Sequence, residues 1–255
     1  MKLKVCLLLC SILLFTKALG CERTLKVGIS QQWAPYVLIR DKTFSGIDIQ
    51  ISEFVLSKSG FCTQFVLLPS SKRGFAELRS GKVDLLPAAS FSEERAQFSY
   101  FSEPYRREVM RLFWYPKKEY AALSLKGLLL KGQVILINSG SYYGEEFTTL
   151  SRIKMFKNQI MAVPKLQQRL GMLLAKRVDF FIDDELAGLY LIGSLNLKGI
   201  ELHDYIINDN WVSFMLSKTT LTASERTRIN NTIIAHQQTI TGLIAEHIKS
   251  FSQDE

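Results

Sequence analysis

LRSGKVDLLPAASFSEERAQFSYFSEPY, residues 78–105, reads as the end of a helix, a buried strand, a polar turn and a short helix with an arginine in its first turn. Gly81 ends the first helix, which carries Phe75 and Leu78, and residues 83–87 form the strand. A looser echo, LLAKRVDFFIDDE, lies at residues 173–185. Two such segments in one chain point to two similar lobes facing each other.

The flanking sequence extends both. Residues 25–30 alternate into a strand, and a loop follows with Trp33, Pro35 and Tyr36. A helix over 49–59 carries Ile51, Phe54 and Val55 on one face and stops at Gly60, before a strand over 63–68. Strand-helix-strand-helix-strand with short connections argues for a parallel sheet covered by helices. A strand at 111–115 then crosses into a second α/β set: a strand at 133–138, a helix at 165–176, a strand at 178–182 and a helix through Ile192. A last strand at 211–216 returns to the first set, and residues 224–251 are mostly helical. The expected class is α/β with two parallel-type sheets and a hinge of two crossovers. One lobe comprises residues 21–115 with 212–255 and the other 116–211. Ligands in open parallel sheets sit beyond the carboxyl ends of the strands, which directs attention to the turns there.

Lys2 and Lys4, an apolar run over 5–15 and Ala18-Leu19-Gly20 give residues 1–20 the order of an export leader. Without Lys2, Lys4 and Lys17 the formal charge falls from +8 to +5. The remaining basic residues are scattered, so a nucleic-acid partner is not expected. Cys6 and Cys10 leave with the leader, and Cys21 and Cys62 remain just before two strands. In an exported chain a Cys21–Cys62 disulfide would close a loop of about 40 residues, worth roughly 4 kcal/mol. The competing reading is acylation of Cys21. The disulfide is preferred because Ala18 stands where lipid-attachment signals usually carry Leu, and Cys62 would otherwise be unpaired.

Arg95 lies where a helix dipole disfavours a cation, after a Ser90–Glu93 capping box. It either faces an anion, holding a carboxylate bidentately, or pairs with Glu93, Glu94 or Glu103. The turn at 140–145 is either a second anion site at a helix start or a plain cap. Asp183 and Asp184 stand at a strand end, to hold an ammonium group or to cap a helix. Trp33, Tyr36, Phe91, Tyr142 and Tyr143 either wall a small pocket or plug the core. Together these groups complement a zwitterion. His203, His236 and His247 lack metal-ligand partners in sequence, and no nucleophile elbow, phosphate loop or mature Cys-x-x-Cys occurs. No cofactor, metal or catalytic set is expected.

With LKVGIS, WAPY, SGIDI, LRSGKVDLL, SEER and FSEPY in order, followed by VILINSGSYYGEEF and LLAKRVDFFIDDE, the chain resembles the family 3 periplasmic solute-binding proteins, which deliver amino acids to ABC importers. The resemblance implies the type II two-lobed periplasmic-binding fold and a monomer that captures an amino-acid-like ligand for an ABC permease. It aligns Arg95 with the arginine that pairs with the ligand α-carboxylate and Trp33 with the covering aromatic. Ser141 and Tyr142 fall at the second-lobe turn whose N–H groups reach the carboxylate. Asp184 falls at the position of the aspartate that takes the α-ammonium, with Asp183 as the alternative one residue away. Ala89 and Ser90, with Ala88, are the implied backbone contacts, although the turn from Asp84 to Arg95 is one residue shorter than the family's. Ser30 stands where members that bind basic side chains usually carry Asp. A sensing protein without transport, or a periplasmic dehydratase on the same fold with Glu145 or Glu185 as general acid, are the other readings.

Overall fold

The computed structural model describes residues 20–253; the expected leader, with Cys6 and Cys10, lies outside them apart from Gly20. The first part of the chain forms β1 (Arg23–Ile29), a hairpin of β2 (Leu38–Arg40) and β3 (Thr43–Ser45), α1 (Ile47–Lys58), β4 (Phe61–Leu67), α2 (Ser71–Arg79) and β5 (Leu85–Ser90). Next come α3 (Glu93–Ala96), β6 (Ser99–Phe101) and β7 (Arg106–Trp114). The second part adds α4 (Leu125–Leu130), β8 (Ile135–Ile137), α5 (Gly144–Ser151), β9 (Ile160–Ala162), α6 (Leu166–Leu174), β10 (Phe180–Asp184) and α7 (Glu185–Ser194). The chain closes with β11 (Glu201–Ser217), α8 (Ala223–Ala235) and α9 (Gln237–Gln253).

The fold is α/β and two-lobed. Two parallel blocks, β4-β1-β5 and β10-β8-β9, lie at opposite ends of one curled sheet, ordered β4-β1-β5-β11-β7-β10-β8-β9 with β6 on β11. The antiparallel partners β7 and β11 lie between the blocks, so the hydrogen-bonded ladder is continuous where two separate sheets were expected. The apolar run at 211–216 is only the end of β11, a 17-residue strand. Its first part, ELHDYIINDN, lacks regular apolar alternation, and its pairing with β7 shifts register at 202–206 and 206–208. Pairing with a regular neighbour holds this polar segment extended.

Local chemistry explains the other boundaries that matter. Gly46 precedes α1 at φ 110°, and a Cβ there would meet the Tyr36 carbonyl oxygen at 2.6 Å, so the SGIDI turn requires glycine. Helix α1 then buries Ile47, Ile51 and Val55 and packs against β4, α8 and α9. Strand β5 runs past Pro87 to Ser90 because the proline sits at a bulge. Ala88 adopts φ 53°, and the pairing with β11 skips between Leu86↔Met215 and Ala89↔Ser213. That places Ser90 inside the strand and corrects its expected capping role: Ser92 caps α3, accepting from the Arg95 N–H at 3.3 Å. Cys21 and Cys62 form the disulfide at the shared N-terminal ends of parallel β1 and β4.

Candidate functional site

Strand β7 runs along the floor of a cleft between the two blocks. Its alternation buries Arg106, Glu108, Met110, Leu112 and Trp114, while Arg107 points out to Asp209. Arg106 is pinned from the first block. Its Nε and Nη2 each donate 2.8 Å to the two oxygens of Asp48 in the first turn of α1, and the Tyr105 hydroxyl donates 3.0 Å to the same carboxylate. The Arg106 guanidinium also lies 3.8 Å from the centre of the Tyr36 ring, which in turn packs 4.7 Å from Trp33. A fully buried, two-pronged ion pair therefore sets the aromatic corner of the cleft. Sequence reasoning missed this pair, although the alternation of β7 placed Arg106 inward.

Above this floor lies a cavity of about 130 Å³. It is similar in size to the roughly 150 Å³ cavity that accepts a benzene-sized molecule. Residues of both blocks line it: Trp33, Ala88, Ala89, Ser90 and Arg95 from the first, Asn138, Gly140, Ser141, Tyr142, Tyr143 and Asp183 from the second, and Glu108 and Met110 from β7. Of the residues singled out from sequence, Phe91 faces solvent instead and packs on Phe101.

Arg95 spans the cleft. Its Nη1 donates 2.8 Å to the Ser90 carbonyl and its Nη2 donates 2.8 Å to the Gly140 carbonyl of the opposite block, over the face of Phe75. Among the described residues no ion pair joins Arg95 to Glu93, Glu94 or Glu103. Burial pulls the Arg95 pKa below its usual value, opposed most by the charge of Glu108. On the Gly140 side, Ser141 is held by its own turn: its N–H donates to the Asn138 carbonyl at 3.3 Å and its hydroxyl accepts from Asn138 Nδ2 at 3.0 Å. Tyr143, behind it, accepts the Asn138 N–H at 2.7 Å. The Ala88 N–H is likewise engaged, donating 2.7 Å to the Tyr105 hydroxyl.

The two aspartates separate. Asp183 borders the cavity. Its Oδ1 accepts from Trp33 Nε1 at 2.8 Å and from the Asp184 N–H at 2.9 Å, and its Oδ2 is ion-paired with Arg169 of α6. Arg169 is itself buried and also donates to the carbonyls of Val163 at 2.8 Å and Pro164 at 2.9 Å. Asp184 lies behind the cavity wall and caps α7. It accepts from the Ala187 N–H at 3.1 Å, from the Val109 N–H at 3.4 Å and from the Tyr36 hydroxyl at 2.8 Å. Burial pushes its carboxyl pKa upward, against the pull of Arg106.

Glu108 is the site group that sequence reasoning missed. Its side chain is buried, accepts from the Ser90 hydroxyl at 3.0 Å and borders the cavity. Burial raises its pKa from 4.5 to about 8; Arg106 opposes the shift, while Asp184 and Asp48 add to it. The signal was present in Arg106-Arg107-Glu108-Val109-Met110, where period-two alternation places Glu108 on the same face as Met110. Glu145 and Glu185 do not line the cavity, and Glu185 is paired with Arg111 at 2.7 Å. Among the described residues no cluster of metal-ligating side chains occurs, and no helix is long and apolar enough to cross a membrane.

Residues 25–190 match the family model described as bacterial extracellular solute-binding proteins, family 3. The fold is similar to that of a histidine kinase sensor domain with similarity to periplasmic binding proteins (TM-score 0.74, 19% identity, covering 88% of this chain and 95% of that one). It is also similar to that of an amino acid ABC transporter substrate-binding protein, AbpA of Streptococcus pneumoniae, bound to L-arginine (TM-score 0.73, 19% identity, covering 89% and 95%). Among curated proteins, the virulence sensor protein BvgS of Bordetella pertussis is 30% identical over 86 residues, which are 33% of this chain and 7% of that protein.

Proposed function

The chain belongs to the family 3 bacterial extracellular solute-binding proteins, and on that premise we propose that it captures a small amino-acid-like ligand between two lobes for delivery to an ABC importer. The lobes of this reading are residues 21–115 with 212–255, and 116–211, with the mature chain acting in the periplasm as a monomer. The observation that carries it is Arg95. A half-buried guanidinium donates to one carbonyl on each side of the cleft, in a cavity of ligand size. A carboxylate offers the guanidinium a counter-charge and two parallel acceptors, which two separate carbonyls do not. A ligand carboxylate entering beside Arg95 therefore gives the guanidinium a bidentate, oppositely charged partner and draws the Gly140–Tyr142 turn and Trp33 around it. Closure of this kind follows the hinge motion of two-lobed binding folds.

The reading assigns binding rather than catalysis. Glu145 and Glu185, the candidate general acids, both lie away from the cavity. An assay on prephenate-like acids tests that assignment, and turnover would refute it.

A second reading, ligand sensing without transport, draws on the sensor protein and the sensor domain to which the chain is similar. The capture step is tested by a thermal-shift screen of the purified protein against amino acids and small carboxylates, repeated on Arg95→Ala. A bound ligand raises the midpoint by mass action, and the variant should lose that rise by a hundredfold or so in affinity, the equivalent of about 2.7 kcal/mol. Equal binding to both proteins would remove Arg95 from the site. Uptake of the identified ligand in a deletion strain then separates the roles: uptake falls for a transport protein and persists for a sensor.

A further inference from the structure

We propose that Glu108 on β7, rather than Asp183 or Asp184, receives the cationic end of the ligand and so decides that the cleft takes amines together with carboxylates. The inference rests on the carboxylate-capture reading above and assigns the opposite end of the same ligand.

It follows from how each buried carboxyl around the cleft is already engaged. Asp48 is held by both prongs of Arg106 and by Tyr105. Asp183 is neutralised by Arg169 and capped by Trp33 and a backbone N–H. Asp184 stands behind the wall, with Tyr36 and two N–H groups on its oxygens. An ammonium approaching any of these meets a carboxylate with three of its roughly four acceptor sites taken, and Asp48 and Asp183 already carry an arginine counter-charge. Glu108 faces the cavity with one neutral donor, the Ser90 hydroxyl, on Oε2. Ser90 also accepts from Arg95 through its carbonyl. A single residue therefore holds the cation and the acid of the site on its two sides, which suits a ligand whose carboxyl and amino groups are attached to the same carbon.

The charges facing Glu108 are Arg106 on its own strand, Asp48 from α1, Asp184 from β10 and Arg95 from α3. Burial and the two aspartates keep its proton on up to about pH 8. That is consistent with the high cost of an unpaired buried charge. When a ligand ammonium arrives, the Glu108 O–H bond breaks, the proton leaves to solvent, and the carboxylate pairs with the ammonium. Binding then releases close to one proton at pH 6.5. Affinity rises roughly tenfold per pH unit between pH 6 and pH 7, as the cost of removing that proton falls.

The test uses matched probes on the purified protein: L-alanine with propionate, L-glutamate with glutarate, and L-leucine with 4-methylpentanoate. Calorimetry in two buffers of different ionisation enthalpy counts the protons. The expected result is that amine-bearing members bind wild type with proton release, while their amine-free partners bind at least tenfold more weakly at pH 8. Glu108→Gln should lower affinity for the amine-bearing probe and abolish both the proton release and the pH dependence. Should that variant fail to fold, Ser90→Ala decides: losing the hydroxyl that favours the ionised form moves the midpoint of the binding profile to higher pH. Equal binding of amine and amine-free partners, or an unchanged pH profile in either variant, overturns the role of Glu108 and leaves carboxylate capture standing. Failure of every probe, and of the wider screen, to bind wild type overturns both.

Discussion

Arg169 and Asp183 form an ion pair at the wall of the cleft that is almost wholly withdrawn from solvent, 1% and 4% exposed. Each member has further contacts: Arg169 reaches two carbonyls through Nη1, although its Nε has no partner, and Asp183 takes the Trp33 indole on its other oxygen. Such a pair is costly to break from one side. Asp183→Asn leaves the guanidinium without its counter-charge and should destabilise the protein by about 3–5 kcal/mol. The double replacement Arg169→Met with Asp183→Leu should recover most of that loss. Urea unfolding of wild type and the two variants measures both numbers. A single variant as stable as wild type would mean that the pair contributes nothing.

Glu108 makes stability depend on pH in a direction opposite to most carboxylates. Its folded pKa, about 8, lies above the ordinary value of 4.5. Between those values the folded chain holds a proton that the unfolded chain has released, so stability falls as pH rises from about 4.5 to about 8 and levels off above. Glu108→Gln removes this contribution. The variant should match wild type near pH 5 and gain on it toward pH 8, by on the order of 4 kcal/mol at most. Unfolding at both pH values reads the change, and parallel curves would rule it out.

The Cys21–Cys62 bridge joins the starts of two neighbouring parallel strands across 41 residues. Cys62→Ser should lower stability by roughly 4 kcal/mol on the loop-entropy estimate. A reductant should lower wild type by the same amount and leave the variant unchanged. Loss of stability from reductant in the variant would point to a different origin.

Most of the frame was legible because it repeats simple periods. The strand-helix alternation from Leu25 to Pro87 and the two crossovers follow from apolar runs punctuated by Gly46, Gly60 and Gly81. What escaped depended on neighbours. The first half of β11 has no apolar rhythm of its own, and only its pairing with β7 extends it. Ser90 looked like a cap because Glu93 stood at the right spacing, but the bulge at Ala88 carried the strand on from residue 87 to Ser90 and gave the cap to Ser92. The choice between Asp183 and Asp184 turns on a one-residue offset at a strand end, where spacing cannot distinguish the residue facing the cavity from the one capping the helix. The partner that occupies Asp183, Arg169, sits on another helix 14 residues away, and nothing in the local pattern announces it.

The irregularities in the β7–β11 ladder fall asymmetrically. The wider intervals are on β11, at 202–206 and 206–208, while the alternation of β7 from Arg106 to Met110 is unbroken. The charge inventory of the cleft is thus written as a reading frame along β7. Losing one residue there would exchange Glu108 for a neighbour and turn Arg106 outward, whereas β11 has slack in which an insertion can be absorbed. Length variation among related chains should therefore collect in the segment facing β7 and be absent from β7 itself. A change of ligand charge would then need only a single deletion on β7, with no new side chain introduced.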